Sequence, residues 1–106
     1  MKKAALEVVK GSGNVFRDFG YPDADLRQFK AILAAAIIKT LDRQHLSVRA
    51  AHKRTGFAAA DFSRIRNVDL GRFTVDRLMK ILNALGFRVE VKVKIIREVH
   101  TPAIAA

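Results

Sequence analysis

The chain has 106 residues, half of them hydrophobic, and a net charge of +10 from 20 basic and 10 acidic side chains. This length predicts one domain with a modest core, and the positive excess points to nucleic acid, to an anionic membrane surface, or to solubility alone. The absence of cysteine excludes disulfides and thiolate metal sites. No apolar run is long enough to span a bilayer, and no signal-peptide pattern is visible. We therefore expect a cytoplasmic protein.

The N-terminal residues 1–22 contain three glycines and a proline, a composition typical of a turn-rich arm. A helix is predicted to follow, with Asp23 as its N-cap and an end near Gln44. Its apolar side chains recur at steps of three and four residues, which predicts one buried stripe formed by Leu26, Phe29, Leu33, Ile37 and Leu41.

Two short helices are predicted next. Ser47 is placed to cap a helix over residues 48–55 that Gly56 closes. A third helix runs from about Ala59 to Asn67. By helical spacing it turns Phe62 and Ile65 inward, and it turns a second set outward: Ala59, Ala60, Ser63, Arg64 and Asn67.

The last predicted helix begins after Thr74 and stops at Gly86, and its apolar stripe is Leu78, Ile81, Leu82 and Leu85. Residues 87–95, FRVEVKVKI, then alternate strictly between apolar and polar side chains, which predicts a strand. A single strand needs a partner, so we expect it to pair with the same strand of a second subunit, helped by the arm around Val8 and Val9.

The two short helices and the glycine between them form a helix-turn-helix pattern. In that motif the second helix enters the major groove of DNA while nearby arginines hold phosphates. The charge distribution agrees, because nine basic residues and only three acidic residues lie between Arg43 and Lys80. The sequence therefore predicts a mainly α fold with an arm at 1–22, a DNA-binding domain at 23–86, and a strand and tail at 87–106.

Two longer stretches carry a family resemblance. LSVRAAHKRTGFAAADFSRIRN and LGRFTVDRLMKILNALGFRVEVKV resemble the Xre-type helix-turn-helix family, which has the lambda-repressor-like fold. The N-terminal GSGNVF and DFG segments resemble a subgroup of HigA-type antitoxins. The basic helix-turn-helix and the strand that needs a partner predict a homodimer that binds a palindromic operator in double-stranded DNA. The resemblance implies, in addition, an antitoxin that inhibits a HigB-like toxin and represses its own operon.

By position, the resemblance also implies a set of DNA-binding residues. Base contacts fall on Ala59, Ala60, Ser63 and Arg64. Phosphate contacts fall on the helix end at Ser47 and on Asn67, and Arg72 lies near the backbone or minor groove. Arg49 and Arg66 complete the expected set. The chain departs from the family at Val68, where glycine is common, and at His52, where a small residue is usual.

Several structural alternatives stand beside these assignments. Arg66 can pair with Asp61 or Asp69 instead of phosphate, Arg77 is expected in a structural ion pair, and Asp61 is expected to cap its helix. The histidines have no metal-ligand spacing, and no catalytic constellation is visible, so we expect no metal, no cofactor and no enzyme activity. A stand-alone regulator without a toxin is the alternative function, and RNA binding ranks below both because the aromatic residues take core-facing positions.

Overall fold

The computed structural model describes residues 23–97, which form four helices. They are α1 (Ala24–Arg43), α2 (Val48–Thr55), α3 (Ala59–Arg66) and α4 (Val75–Ala84). All four predicted helices are confirmed, with ends close to the predicted ones. The predicted arm, and the tail beyond residue 97, lie outside the described residues.

The helix starts show how local side chains fix the ends of the elements. Ser47 Oγ accepts a hydrogen bond from the backbone N–H of Ala50 at 3.1 Å, and Thr74 Oγ1 accepts one from Arg77 N–H at 3.1 Å. Both are N-cap bonds, as predicted. Asp23 occupies the predicted N-cap position of α1 but makes no capping bond. Its carboxylate instead accepts from Arg27 Nε at 2.7 Å, and this bond lowers the pKa of Asp23.

The helices enclose one apolar core. α1, α3 and α4 contribute their predicted inward faces and α2 contributes Ala51. The fully enclosed side chains are Ile37, Leu41, Ala51, Phe62, Ile65, Leu78 and Ile81. Burying one such large side chain stabilises the fold by about 1.5–3 kcal/mol. Leu26 is the exception to the predicted stripe of α1, because it is 45% exposed. α1 packs on α3 and α4, and α2 packs chiefly on α3.

The turn between α2 and α3 depends on Gly56, whose φ of 84° lies in the left-handed region that glycine adopts without strain. Its N–H donates to the carbonyl of His52 at 2.8 Å. The exposed His52 ring places Nδ1 2.8 Å from the carbonyl oxygen of Phe57. His52 therefore bridges the turn from outside, while the small Ala51 is the residue of α2 that is packed in the core.

The turn after α3 contains a strained residue. Val68 has a φ of 57°, in the left-handed region that β-branched residues rarely adopt. The helix is nevertheless closed by two backbone bonds, from Val68 N–H to the Ile65 carbonyl at 3.0 Å and from Asp69 N–H to the Arg64 carbonyl at 2.8 Å. The turn thus has a shape suited to glycine, with valine at that position.

The C-terminal segment differs from its prediction. Residues 87–97 contain no strand within the single chain. Phe87 and Val89 are half-buried against the core, but exposure then rises to 46% at Val91, 78% at Val93 and 92% at Ile95. A strand requires a hydrogen-bonded neighbour, and the described residues of one chain provide none. Pairing across subunits therefore stays a prediction.

The helices were compared in length and apolar character with a membrane-spanning helix, which needs roughly 20 apolar residues. Within residues 23–97, none of them combines the length and the apolar character needed to cross a bilayer.

Candidate nucleic-acid interface

The outer face of α3 is built by the same helical spacing that buries its inner face. Phe62 and Ile65 are completely enclosed, so the intervening positions must point away from the core. Ala60, Ser63 and the C-cap residue Asn67 are exposed. Ala59 is half-buried. The predicted base-contacting positions therefore form one accessible face, apart from the partial cover on Ala59.

Arg64 lies at the edge of this face. Its side chain is 35% exposed, and Nη1 donates to Asp61 Oδ1 at 3.1 Å. The guanidinium is therefore accessible but held by a carboxylate one helical turn earlier. Its remaining N–H groups stay available for other acceptors, because arginine carries five donors.

Asp61 has a different role from the predicted one. Its carboxylate is largely buried and links two arginines, because Oδ2 also accepts from Arg77 Nη2 at 2.6 Å. The Arg77 guanidinium in turn lies 5.5 Å from the centroid of the Phe57 ring, within the range of a cation–π contact. The ion pair predicted for Arg77 is confirmed. Asp61 is the anchor of a network between α3, α4 and the helix-turn-helix turn, rather than a capping residue.

Arg66 pairs with neither of its expected partners. Its Nη2 lies 2.9 Å from Oδ1 of Asp42, at the end of α1. The two side chains are 35% and 61% exposed, and such surface pairs contribute only about 0–1 kcal/mol. Little free energy would therefore be lost if Arg66 left Asp42 to bind a DNA phosphate.

A second group of cations has no carboxylate partner among residues 23–97. Among the ion pairs between described residues, none includes Arg49, Lys53 or Arg72, and all three side chains are exposed. Arg49 lies in the first turn of α2, beside the exposed N-cap Ser47. No carboxylate in the described part of the chain therefore competes with an external anion for these three side chains.

Arg72 also borders an open groove between the turn at Phe57 and the first half of α4. The groove has a volume of about 460 Å³ and is lined by Phe57, Arg72, Thr74, Asp76, Arg77 and Lys80. It contains three cations and one carboxylate, and that carboxylate pairs with Lys80 at 3.2 Å. The groove shares Arg77 with the Asp61 network, so the positive surface continues to the edge of α3.

Comparison with known proteins agrees with this geometry. A family model described as a helix-turn-helix domain matches residues 15–94, a range that includes all four helices. The chain belongs to the helix-turn-helix family.

A solved structure refines the placement of this helix-turn-helix protein. It is that of a protein named as a candidate XRE family transcriptional regulator, with 39% sequence identity and a TM-score of 0.65. The match covers 80% of this chain and 99% of the other. The protein is therefore an Xre-type member of the family. No curated protein matches the sequence.

Sequence reasoning missed one feature of the candidate interface of this Xre-type protein, namely that Asp61 links Arg64 to Arg77. The spacing of Asp61 and Arg64, three residues apart on a helix, was a usable signal for a pair. The contact between Asp61 and Arg77 joins residues of two helices that are sixteen positions apart in the sequence. No local sequence pattern predicts such a contact. Residues 23–97 contain no cluster of three side chains that could hold a metal ion.

Proposed function

We propose that the protein is a sequence-specific transcriptional regulator that binds double-stranded DNA. The observation that carries this proposal is the accessible outer face of α3, with Arg64 at its edge and unpaired cations on the elements around it. In helix-turn-helix proteins the corresponding helix lies in the major groove and contacts base edges. Family membership and the solved XRE-type relative support the same function.

Base reading is assigned to α3. Arg64 would contact guanine through N–H groups that Asp61 leaves available, and a good bidentate pair gives about 1–3 kcal/mol of discrimination. Ser63 would add a hydrogen bond beside it. Ala59 and Ala60 would let the helix approach closely, and an alanine methyl can pack on the methyl group of thymine.

Phosphate binding is assigned to the surrounding elements. Ser47 and Arg49 lie at the start of α2, and Asn67 and Arg66 lie at the end of α3. Arg72 lies in the loop before α4. Contacts of this kind fix the position of the protein on the duplex and supply affinity without sequence information.

The test of DNA binding is a titration of the protein against labelled duplexes over a salt series. The logarithm of affinity should fall linearly with the logarithm of salt concentration, with a slope of about −0.9 for each phosphate neutralised. Selection from a random duplex library should then yield an enriched operator. An affinity for duplex DNA that does not change with salt, or no binding at all, would contradict the proposal. Competition by single-stranded RNA stronger than by duplex DNA would favour the RNA-binding alternative.

We further propose that the regulator is a homodimer joined by its C-terminal segments. The support is the run of exposed apolar side chains at Val91, Val93 and Ile95, alternating with charged ones. Side-by-side pairing of two copies would cover them and satisfy the backbone. Two related α3 helices would then contact half-sites about 34–36 Å apart on a palindromic operator.

Molar mass in solution tests this dimer. The wild-type protein should sediment as a dimer, and Val93→Gln should shift the equilibrium toward monomer. Lys94→Gln alters the adjacent, polar position of the segment and serves as the matched control, which should remain dimeric. A monomeric wild type, or equal effects of the two substitutions, would refute this mode of association.

The finer function we propose is that of an antitoxin that represses its own operon. Its support is the resemblance of the N-terminal GSGNVF and DFG segments to HigA-type antitoxins, and these segments lie outside the described residues. A HigB-like ribonuclease encoded next to this gene should co-purify with the protein and lose activity in the complex. A gene without such a neighbour would favour the alternative of a stand-alone regulator.

A further inference from the structure

The strongest feature not yet assigned a function is the buried carboxylate of Asp61. Asp61 is the one buried acidic residue among residues 23–97, and its side chain is only 11% exposed. It lies in the first turn of α3, the helix that the proposed function places in the DNA groove. A negative charge at this position repels phosphate, so its presence there needs a reason.

The geometry gives that reason, because one carboxylate holds two arginines through separate oxygens. Oδ1 accepts from Arg64 at 3.1 Å and Oδ2 accepts from Arg77 at 2.6 Å. Charge-assisted bonds of this kind are stronger than neutral hydrogen bonds, and they fix the orientation of the arginine side chains. The three groups together carry one net positive charge instead of two, and neither guanidinium is free to swing toward the nearest phosphate.

We infer that Asp61 is a positioning residue that sets DNA specificity: it holds Arg64 toward the base edges and withholds Arg64 and Arg77 from indiscriminate phosphate contacts. This inference rests on the proposed function. Non-specific DNA binding depends almost entirely on phosphate neutralisation, whereas Arg64 can contact a base through its remaining donors without leaving Asp61. Asp61 thus weakens binding to unrelated DNA more than binding to the operator.

The test compares wild type with Asp61→Asn, which keeps the shape of the side chain and removes its charge. Affinities are measured for the selected operator duplex and for an unrelated duplex over the same salt series. The affinity of Asp61→Asn for unrelated DNA should rise about tenfold, and its salt slope should steepen by about 0.9–1.8, because one or two cations are released to phosphates. Affinity for the operator should change less than about threefold, so the specificity ratio should fall.

Asp69→Asn is the matched control. It removes the same charge just beyond the C-terminal end of α3, and no ion pair between described residues includes Asp69. A simple loss of negative charge would make the two asparagine variants equivalent, which would overturn the inference. The added affinity should also disappear in the double variant Asp61→Asn/Arg64→Gln if it depends on release of Arg64.

Asp61→Glu keeps the charge and provides a second test should the asparagine variant fold poorly. The longer side chain displaces Arg64 while still neutralising it, so operator affinity should fall about tenfold while affinity for unrelated DNA is retained. An unchanged specificity ratio in a folded Asp61→Glu or Asp61→Asn variant would overturn the inference. A wild-type protein that binds no duplex would instead overturn the proposed function.

Discussion

The two faces of α3 belong to the same short helix but carry different kinds of side chain. Phe62 and Ile65 on the inner face are completely buried, whereas Ala60 and Ser63 on the outer face are exposed. Between them, at the boundary, Asp61 and Arg64 form an ion pair. The inner face therefore determines stability and the outer face determines what the helix can contact, while the boundary pair couples the two. Substitutions on each face and at the boundary test this separation.

The largest expected effect comes from the inner face. Phe62→Ala should lower the free energy of unfolding by about 3–5 kcal/mol, because it removes a fully buried ring and leaves a cavity among α1, α3 and α4. Urea denaturation followed by circular dichroism measures the change. Ser63→Ala, on the outer face of the same helix, is the control and should change stability by less than about 0.5 kcal/mol. Similar losses in the two variants would erase the distinction between the faces.

The next largest effect is expected for DNA binding, from Arg64 at the boundary between the two faces of α3. Arg64→Gln should weaken operator binding by about 1–3 kcal/mol, which is roughly fivefold to 150-fold, because the proposed guanine contact is lost. Preference for guanine at one operator position should be relaxed as well. Fluorescence anisotropy on the operator and on single-base variants gives both quantities. Arg64 would have no reading role if every duplex lost affinity equally.

A smaller and more uniform effect is expected from the unpaired cations. Arg72→Gln should weaken binding to all duplexes alike and reduce the salt slope by about 0.9 per site, since one phosphate contact disappears. Arg49→Gln should behave in the same way. Lys39→Gln, on the exposed surface of α1, is the control and should leave the slope unchanged. A sequence-dependent loss with Arg72→Gln would move this residue into the base-reading group.

The smallest expected effect on stability comes from Val68, in the turn that follows α3. Val68→Gly should raise the free energy of unfolding by about 0.5–1 kcal/mol, because glycine relieves the left-handed strain and little buried surface is lost from a side chain that is 61% exposed. Val68→Ala retains a Cβ and should gain less. Urea denaturation of the three proteins decides the point, and a destabilised Val68→Gly would show that the turn tolerates valine without strain.

The helices and their caps were predictable because each depends on residues close in sequence. The pattern of Ser47, Gly56 and Thr74 marks helix ends, and the three- and four-residue spacing of apolar side chains marks the inner faces. The predicted outward positions of α3 follow from the same periodicity.

The partners of the arginines were less predictable, because they depend on packing between helices. An ion pair was expected for Arg77 and was an alternative for Arg66, but the sequence did not identify the carboxylates. The fold brings Asp61 to Arg64 and Arg77, and it brings Asp42 to Arg66. The strand prediction illustrates a related point: the alternation at residues 87–95 describes side chains suited to a sheet, while strand formation also needs a neighbour that one chain does not provide among its described residues.

The absence of natural cysteine allows the central claim, that the outer face of α3 meets duplex DNA, to be tested directly. Ala60→Cys and Ala35→Cys each introduce one thiol at an exposed helical position, the first on the outer face of α3 and the second on α1. Alkylation rates by a maleimide are measured with and without saturating duplex. The thiol at position 60 should be strongly protected by DNA, while that at position 35 should react at an unchanged rate. Equal reactivity of the position-60 thiol in free and DNA-bound protein would contradict the account.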